Sequence, residues 1–185
     1  MRLSLSLATA WPRRSLLPLH NIARAGLMSL LLVAATAVAA PVTPSELAPS
    51  QDTTPILTIH HGGEQHPVSR AEIESLGLHE VSLHHFEGPE GRFAGVWLDD
   101  FLTAHGLEDE PRLRFIAHDD YTVFLTPENR DDKRYLLATR LDGEPLTRET
   151  FGPTMLLVPA DAAAVLDGSE TMTRWIWSIR AIQAR

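Results

Sequence analysis

The chain has 185 residues and no cysteine, and its charge is unevenly spread: all 24 acids follow residue 40, whereas four of the 16 Lys and Arg precede it. Beyond residue 40, 12 bases against 24 acids leave a formal charge of −12, which repels phosphate backbones and anionic lipid and excludes nucleic acid and a membrane surface as expected partners. Without cysteine there is no disulfide, thiolate nucleophile or thiolate metal ligand, so stability has to come from packing.

The first 40 residues carry Arg2, Arg13, Arg14 and Arg24, then the apolar run GLMSLLLVAATAVAA. A basic segment, an apolar stretch too short to span a bilayer and Ala37-Val38-Ala39 as a small-residue cleavage site predict a signal peptide over residues 1–40, cut near Ala39 or Ala40. The expected location is periplasmic or secreted, with no membrane insertion after cleavage. Residues 41–55, PVTPSELAPSQDTTP, have little to bury and read as a flexible leader. Residues 56–185 then make one domain of ordinary size.

ILTIH alternates as a strand, HGGEQHP reads as a turn, and Ser69-Arg70-Ala71-Glu72 fits a capping box opening a short helix that Gly77 closes. EVSLHHF is the next strand and EGPEG a loop. In FAGVWLDDFLTAHGL, Leu98, Phe101, Leu102 and His105 share a helical face and Gly106 supplies the stop. RLRFIAH, TVFLT, RYLLATR and TMLLVP are further strands, with Asp142-Gly143 as a turn. The last segment, TRWIWSIRAIQA, places Trp175, Trp177, Ile179 and Ala181 on one face of a closing strand. Many strands with two short helices predict an α+β domain, largely β, with a mixed sheet.

The segments FAGVWLDDFL, HDDYTVFL, YLLATRLDGEPL, FGPTMLLVP and RWIWSI, in that order over residues 56 to 183, resemble the oxidoreductase molybdopterin-binding domain, the sulfite-oxidase-like fold. The chain looks like a small, exported, stand-alone member. The resemblance implies a cofactor cleft, in which catalytic members bind a molybdenum or tungsten pterin through a cysteine on the strand before the F-x-G-V-x-L segment. Here that strand holds His84 and His85, and histidine does not replace a thiolate at a sulfur-liganded centre. The family's His-Gly and the Arg of G-P-x-R are also missing from Thr150-Phe151-Gly152-Pro153-Thr154-Met155, which removes donors for an anionic pterin phosphate. Tyr121 matches the family's tyrosine near the substrate pocket.

Asp119-Asp120-Tyr121 therefore has two readings. Aspartates favour turns by bonding their own backbone and Tyr suits the start of a strand, while the resemblance makes the corner part of a pocket wall. The candidate ligand-binding residues are Asp119, Asp120, Tyr121, His84 and His85; no catalytic residue is assigned. No metal is expected, because neighbours in a strand point to opposite faces, so neither His60-His61 nor His84-His85 easily chelates one ion. Trp175 and Trp177 can stack a planar ligand, though packing is the simpler role. No cofactor is expected, molybdopterin entering only through the resemblance. The leading expectation is a non-redox module binding a small-molecule ligand or a periplasmic protein partner. The alternative is a molybdopterin-dependent oxidoreductase or accessory subunit holding the cofactor without a protein thiolate.

Overall fold

Short alternating runs and a few well-marked turns divide the chain into strands of two to eight residues that no single helix interrupts for long. The computed structural model describes residues 40–184; the expected signal peptide, apart from its last residue Ala40, lies outside the described residues. In chain order the elements are β1 (Thr43–Pro44), β2 (Pro55–His61), β3 (Glu64–Ser69), α1 (Arg70–Glu74), β4 (His79–His84), β5 (Glu90–Trp97), α2 (Leu98–Ala104), β6 (Leu113–Ala117), β7 (Thr122–Leu125), α3 (Pro127–Asp132), β8 (Leu136–Leu141), β9 (Glu144–Pro145), β10 (Met155–Leu157), α4 (Ala162–Leu166) and β11 (Ile179–Ala184).

Two sheets result. The first has the order β1-β4-β5-β8-β10, with β9 also on β8, and the second β3-β2-β11-β6-β7. The first is antiparallel throughout, whereas in the second β11 runs parallel to β2 and antiparallel to β6. The architecture is α+β and largely β, as the sequence predicts. Both sheets share one core, in which Leu57, Phe93, Phe101, Phe115 and Trp175 are among the largest fully buried side chains. Among the described residues, no helix is long and apolar enough to cross a membrane.

Four local expectations are corrected. Residues 41–55 are laid on the domain: β1 pairs with β4, the Ser50 amide donates to Glu74 at 2.6 Å, and Arg140 donates to the Ala48 carbonyl at 3.2 Å. A Pro- and Ser-rich segment has few apolar groups to announce this; Val42 and Leu47 pack against the core, and the backbone of Ser50 and Ala48 adds the polar contacts. The expected helix over FAGVWLDDFLTAHGL is half strand. Phe93, Ala94, Gly95 and Val96 of β5 are all buried because the strand lies between β4 and β8, and a continuous apolar run hides its period. Gly95 marks the place, since a Cβ there would collide with the backbone of Leu137 and Ala138, where the pairing of β5 with β8 shifts register.

The turn expected at HGGEQHP shrinks to Gly62-Gly63, and Glu64–Ser69 becomes β3 despite Pro67. An edge strand tolerates a proline because one side of its backbone needs no ladder partner. Finally, two additional short helices form. Thr126-Pro127 opens α3 with a capping box completed by Asn129, and α4 is the Ala-rich Ala162–Leu166.

Candidate functional site

The Asp119-Asp120-Tyr121 corner joins β6 to β7 as a tight turn. The Ala117 amide donates to the Tyr121 carbonyl at 2.9 Å, the Asp120 amide to the Ala117 carbonyl at 3.2 Å, and the Asp119 carboxylate accepts from the Tyr121 amide at 3.1 Å. Asp120 takes the left-handed backbone, φ 67°, which a short polar side chain tolerates. Its carboxylate accepts from Arg180 Nη2 at 2.6 Å, while Arg180 Nε donates to the Ala117 carbonyl at 3.0 Å. β11 thus clamps the corner from the neighbouring strand.

The turn is also a wall. Asp119 and Tyr121 line a cavity of about 240 Å³ together with Phe86, Ala117, Met172, Trp175 and Trp177. Tyr121 and Met172 are 50% and 51% exposed at its mouth, whereas Trp175 is only 2% exposed at its floor. Asp119 is the charged member of the lining. Of the candidate residues, these two line the cavity directly; Asp120 is tied to Arg180 beside it.

His84 and His85 separate, as neighbours at a strand end must. His84 is exposed and borders a different hollow with Ser82, Glu90, Arg92 and Asp142. His85 is 1% exposed and lies among four rings: Phe86 is stacked at 4.7 Å between centroids, and Phe151, Trp175 and Trp177 present edge contacts at 5.3, 5.4 and 5.3 Å. Its Nδ1 accepts from the Glu87 amide at 3.2 Å, which assigns the proton to Nε2. Burial, with the neighbouring His84 adding to it, holds its pKa down to about 4. His85 is therefore neutral at pH 7, and it supports the cavity from behind Phe86, Trp175 and Trp177.

The chain around the cavity is unusually bent. Trp175 to Ser178 precede β11 instead of extending it: Ile176 bridges to Leu156, and Ser178 has φ 53°. The expected alternation therefore begins only at Ile179, yet both Trp175 and Trp177 still reach the same cavity. Phe151 has φ 70°, a conformation that a bulky residue avoids. Its ring stacks on Trp177 at 5.2 Å and occupies the space that a Cβ at Gly88 would need, so EGPEG is more than a turn. Backbone hydrogen bonds run from Ser178 to the Phe151 carbonyl at 2.8 Å and from His118 to the Ser178 carbonyl at 2.9 Å, joining two of these bent positions to the end of β6.

The residues around His85 do not suit a molybdenum pterin. They provide no thiolate, the imidazole is enclosed by aromatic rings, and no Arg or Lys lines the cavity to meet an anionic phosphate. Elsewhere, a metal-capable grouping that sequence reasoning missed comes together from His66, Glu72 and His105. No family model matches the chain, and no curated protein matches it.

Proposed function

We propose that this chain is an exported, single-domain binding module of sulfite-oxidase-like fold that holds a small ligand in the aromatic cavity and does no redox chemistry. The observation that carries the reading is the cavity itself, walled by Phe86, Tyr121, Trp175 and Trp177 with Asp119 as its charged residue. Three of the segments on which the family resemblance rests supply its surroundings: HDDYTVFL gives Asp119 and Tyr121, RWIWSI gives both tryptophans, and FGPTMLLVP gives Phe151. Rings stack on planar or cationic groups, and a carboxylate accepts from amino or hydroxyl groups, so the ligand is neutral or cationic with a flat apolar body. At about 240 Å³ the cavity is below the roughly 300–1,000 Å³ of drug-sized pockets, so the ligand is small.

Two other readings meet the same experiments. The exposed Tyr121 and Met172 at the mouth favour a periplasmic protein partner that inserts a side chain. The oxidoreductase reading needs a pterin held without a protein thiolate, and the donor set around His85 argues against it. Protein purified from its own host is analysed for pterin, molybdenum and tungsten; a stoichiometric amount of either metal overturns the binding-module reading. Screening small aromatic amines and alcohols by tryptophan fluorescence then compares wild type with Tyr121→Phe, Asp119→Asn and Trp177→Ala. Binding that weakens about tenfold in Asp119→Asn, equivalent to about 1.4 kcal/mol, supports the reading; hits that bind all three variants as they bind wild type place the ligand elsewhere.

A further inference from the structure

A second hollow, distinct from the aromatic cavity, has a volume of about 550 Å³, and its lining includes His61, Glu64, His66, Glu72 and His105. These residues come from four elements. His61 ends β2 and Glu64 begins β3 across the Gly62-Gly63 turn, His66 lies on β3, Glu72 is in the first turn of α1, and His105 caps the end of α2. The elements hold the groups together for ordinary structural reasons: β2 and β3 pair, and Ser69 caps α1 by accepting from the Glu72 amide at 3.2 Å. In a full capping box the Glu72 carboxylate would turn back to the Ser69 backbone. Here it accepts from His66 Nε2 at 3.1 Å instead, so the side chain expected to finish the cap points into the hollow.

The donor atoms of His66, Glu72 and His105 lie within 4.8 Å of one another. Zinc bonds of about 2.0–2.1 Å to nitrogen and 2.0–2.2 Å to oxygen, arranged tetrahedrally, separate ligand atoms by about 3.4 Å, so a small rotation of exposed side chains closes the set. His66 and Glu72 are free to make it, with side chains 59% and 40% exposed. His105 is the fixed member: its ring packs on Phe101 at 4.5 Å and lies 5.6 Å from that of His66. Its Nε2 is shut off from solvent with no hydrogen-bond partner, and coordination is one way to satisfy an imidazole nitrogen so placed. No Lys or Arg lines the hollow, while Glu64 and Glu72 do, which favours a cation.

We infer that His66, Glu72 and His105 form a binding site for a divalent transition-metal ion, zinc being the simplest fit, with the remaining coordination positions open toward the hollow. Two imidazoles and one carboxylate suit borderline ions such as zinc over calcium or magnesium, which prefer all-oxygen sites. A bound ion would tie β3, α1 and α2 together. His61, which pairs with Glu110 at 2.9 Å, and Glu64 stand at the rim as further oxygen and nitrogen donors.

The test uses the full chain without a histidine tag, stripped with chelator and titrated with Zn²⁺ calorimetrically at pH 7. One equivalent binding at micromolar affinity or tighter, with a rise in Tm on metal addition, is the expected result. His66→Gln and Glu72→Gln, both exposed positions that leave the fold intact, each weaken binding about tenfold or more and abolish the Tm rise. His105→Gln does the same, and His84→Gln and His60→Gln bind as wild type. Absence of saturable binding overturns the inference, and so does wild-type affinity in His66→Gln, which would assign the zinc to scattered surface histidines.

Discussion

Glu74 offers the sharpest test of how the domain is held together. Its side chain is fully buried at the end of α1, and its two oxygens accept four hydrogen bonds: Oε1 from Thr139 at 2.8 Å and Arg140 Nε at 3.0 Å, Oε2 from Arg140 Nη2 at 2.6 Å and the Ser50 amide at 2.6 Å. Burial alone would raise this carboxyl, but the bonds from Arg140, Ser50 and Thr139 outweigh it and hold the pKa below the ordinary value. Glu74→Gln removes the charge and turns an N–H toward donors, leaving Arg140, whose side chain is 13% exposed, without its partner. Breaking one member of a buried pair costs about 3–5 kcal/mol, whereas Thr139→Val, which deletes a single bond to the carboxylate, costs about 1–3 kcal/mol. Urea denaturation monitored by tryptophan fluorescence measures both, and amide exchange at Ser50 should speed up in Glu74→Gln because the anchor of residues 41–55 is gone. The double variant Glu74→Leu with Arg140→Leu should lose less than the sum of its two single changes. A cost below about 1 kcal/mol for Glu74→Gln would refute the reasoning. Because the folded pKa is lowered, the Glu74 contribution is present above the unfolded carboxyl pKa and is lost as pH falls through the folded one.

Two further outcomes follow from the site. His85 has a folded pKa of about 4 against an ordinary 6.5, so only the unfolded state takes up a proton between those values; stability should fall by up to about 3 kcal/mol as pH drops from 6.5 to 4, and His85→Phe should flatten this slope in acid denaturation curves. Equal slopes in the two proteins would show that His85 is protonated in place, and the lowered His105 and His118 contribute to the slope that remains. Arg180→Ala should release the corner by removing the bonds to Asp120 and the Ala117 carbonyl; since the pair is exposed, stability should change by less than about 1 kcal/mol, while any ligand of the aromatic cavity binds measurably more weakly. A large loss of Tm in Arg180→Ala with unchanged ligand affinity would reverse that assignment.

The strands that alternate cleanly were readable from sequence because one face of each is buried: Leu113, Phe115 and Ala117 on β6, or Val81 and Leu83 on β4. β5 was misread for the opposite reason, being central and covered on both faces. β3 was missed because its residues are mostly polar and exposed, so what makes it a strand is its ladder with β2, a non-local fact. The path of residues 41–55 belongs to the same class: the backbone of Ser50 and Ala48 meets side chains that lie 24 and 92 residues further along, and no local pattern encodes such a meeting.

At the candidate site the legible and illegible parts divide along the same line. Asp119 and Tyr121 stood out because turn chemistry is local, and Trp175 and Trp177 because aromatics two apart are conspicuous. Phe86, Phe151 and Met172 carried no signal, since their roles depend on where β4, the turn before β10 and the segment before β11 converge. The local preferences there point away from the observed backbone: Phe disfavours φ 70° at position 151, and Ser178, in a segment that alternates like a strand, adopts φ 53°. Conformations of this kind cost on the order of 1–3 kcal/mol each and persist only where surrounding contacts impose them. In this domain they sit beside the cavity, with Phe151 stacked on Trp177 and hydrogen-bonded through its carbonyl to Ser178. Phe151 is also the left-handed cap of a 3-10 turn over Arg148–Thr150, and Asp142 takes the same backbone region in a plain hairpin turn, so what distinguishes position 151 is that packing on Trp177, a non-local contact, decides the backbone against local preference.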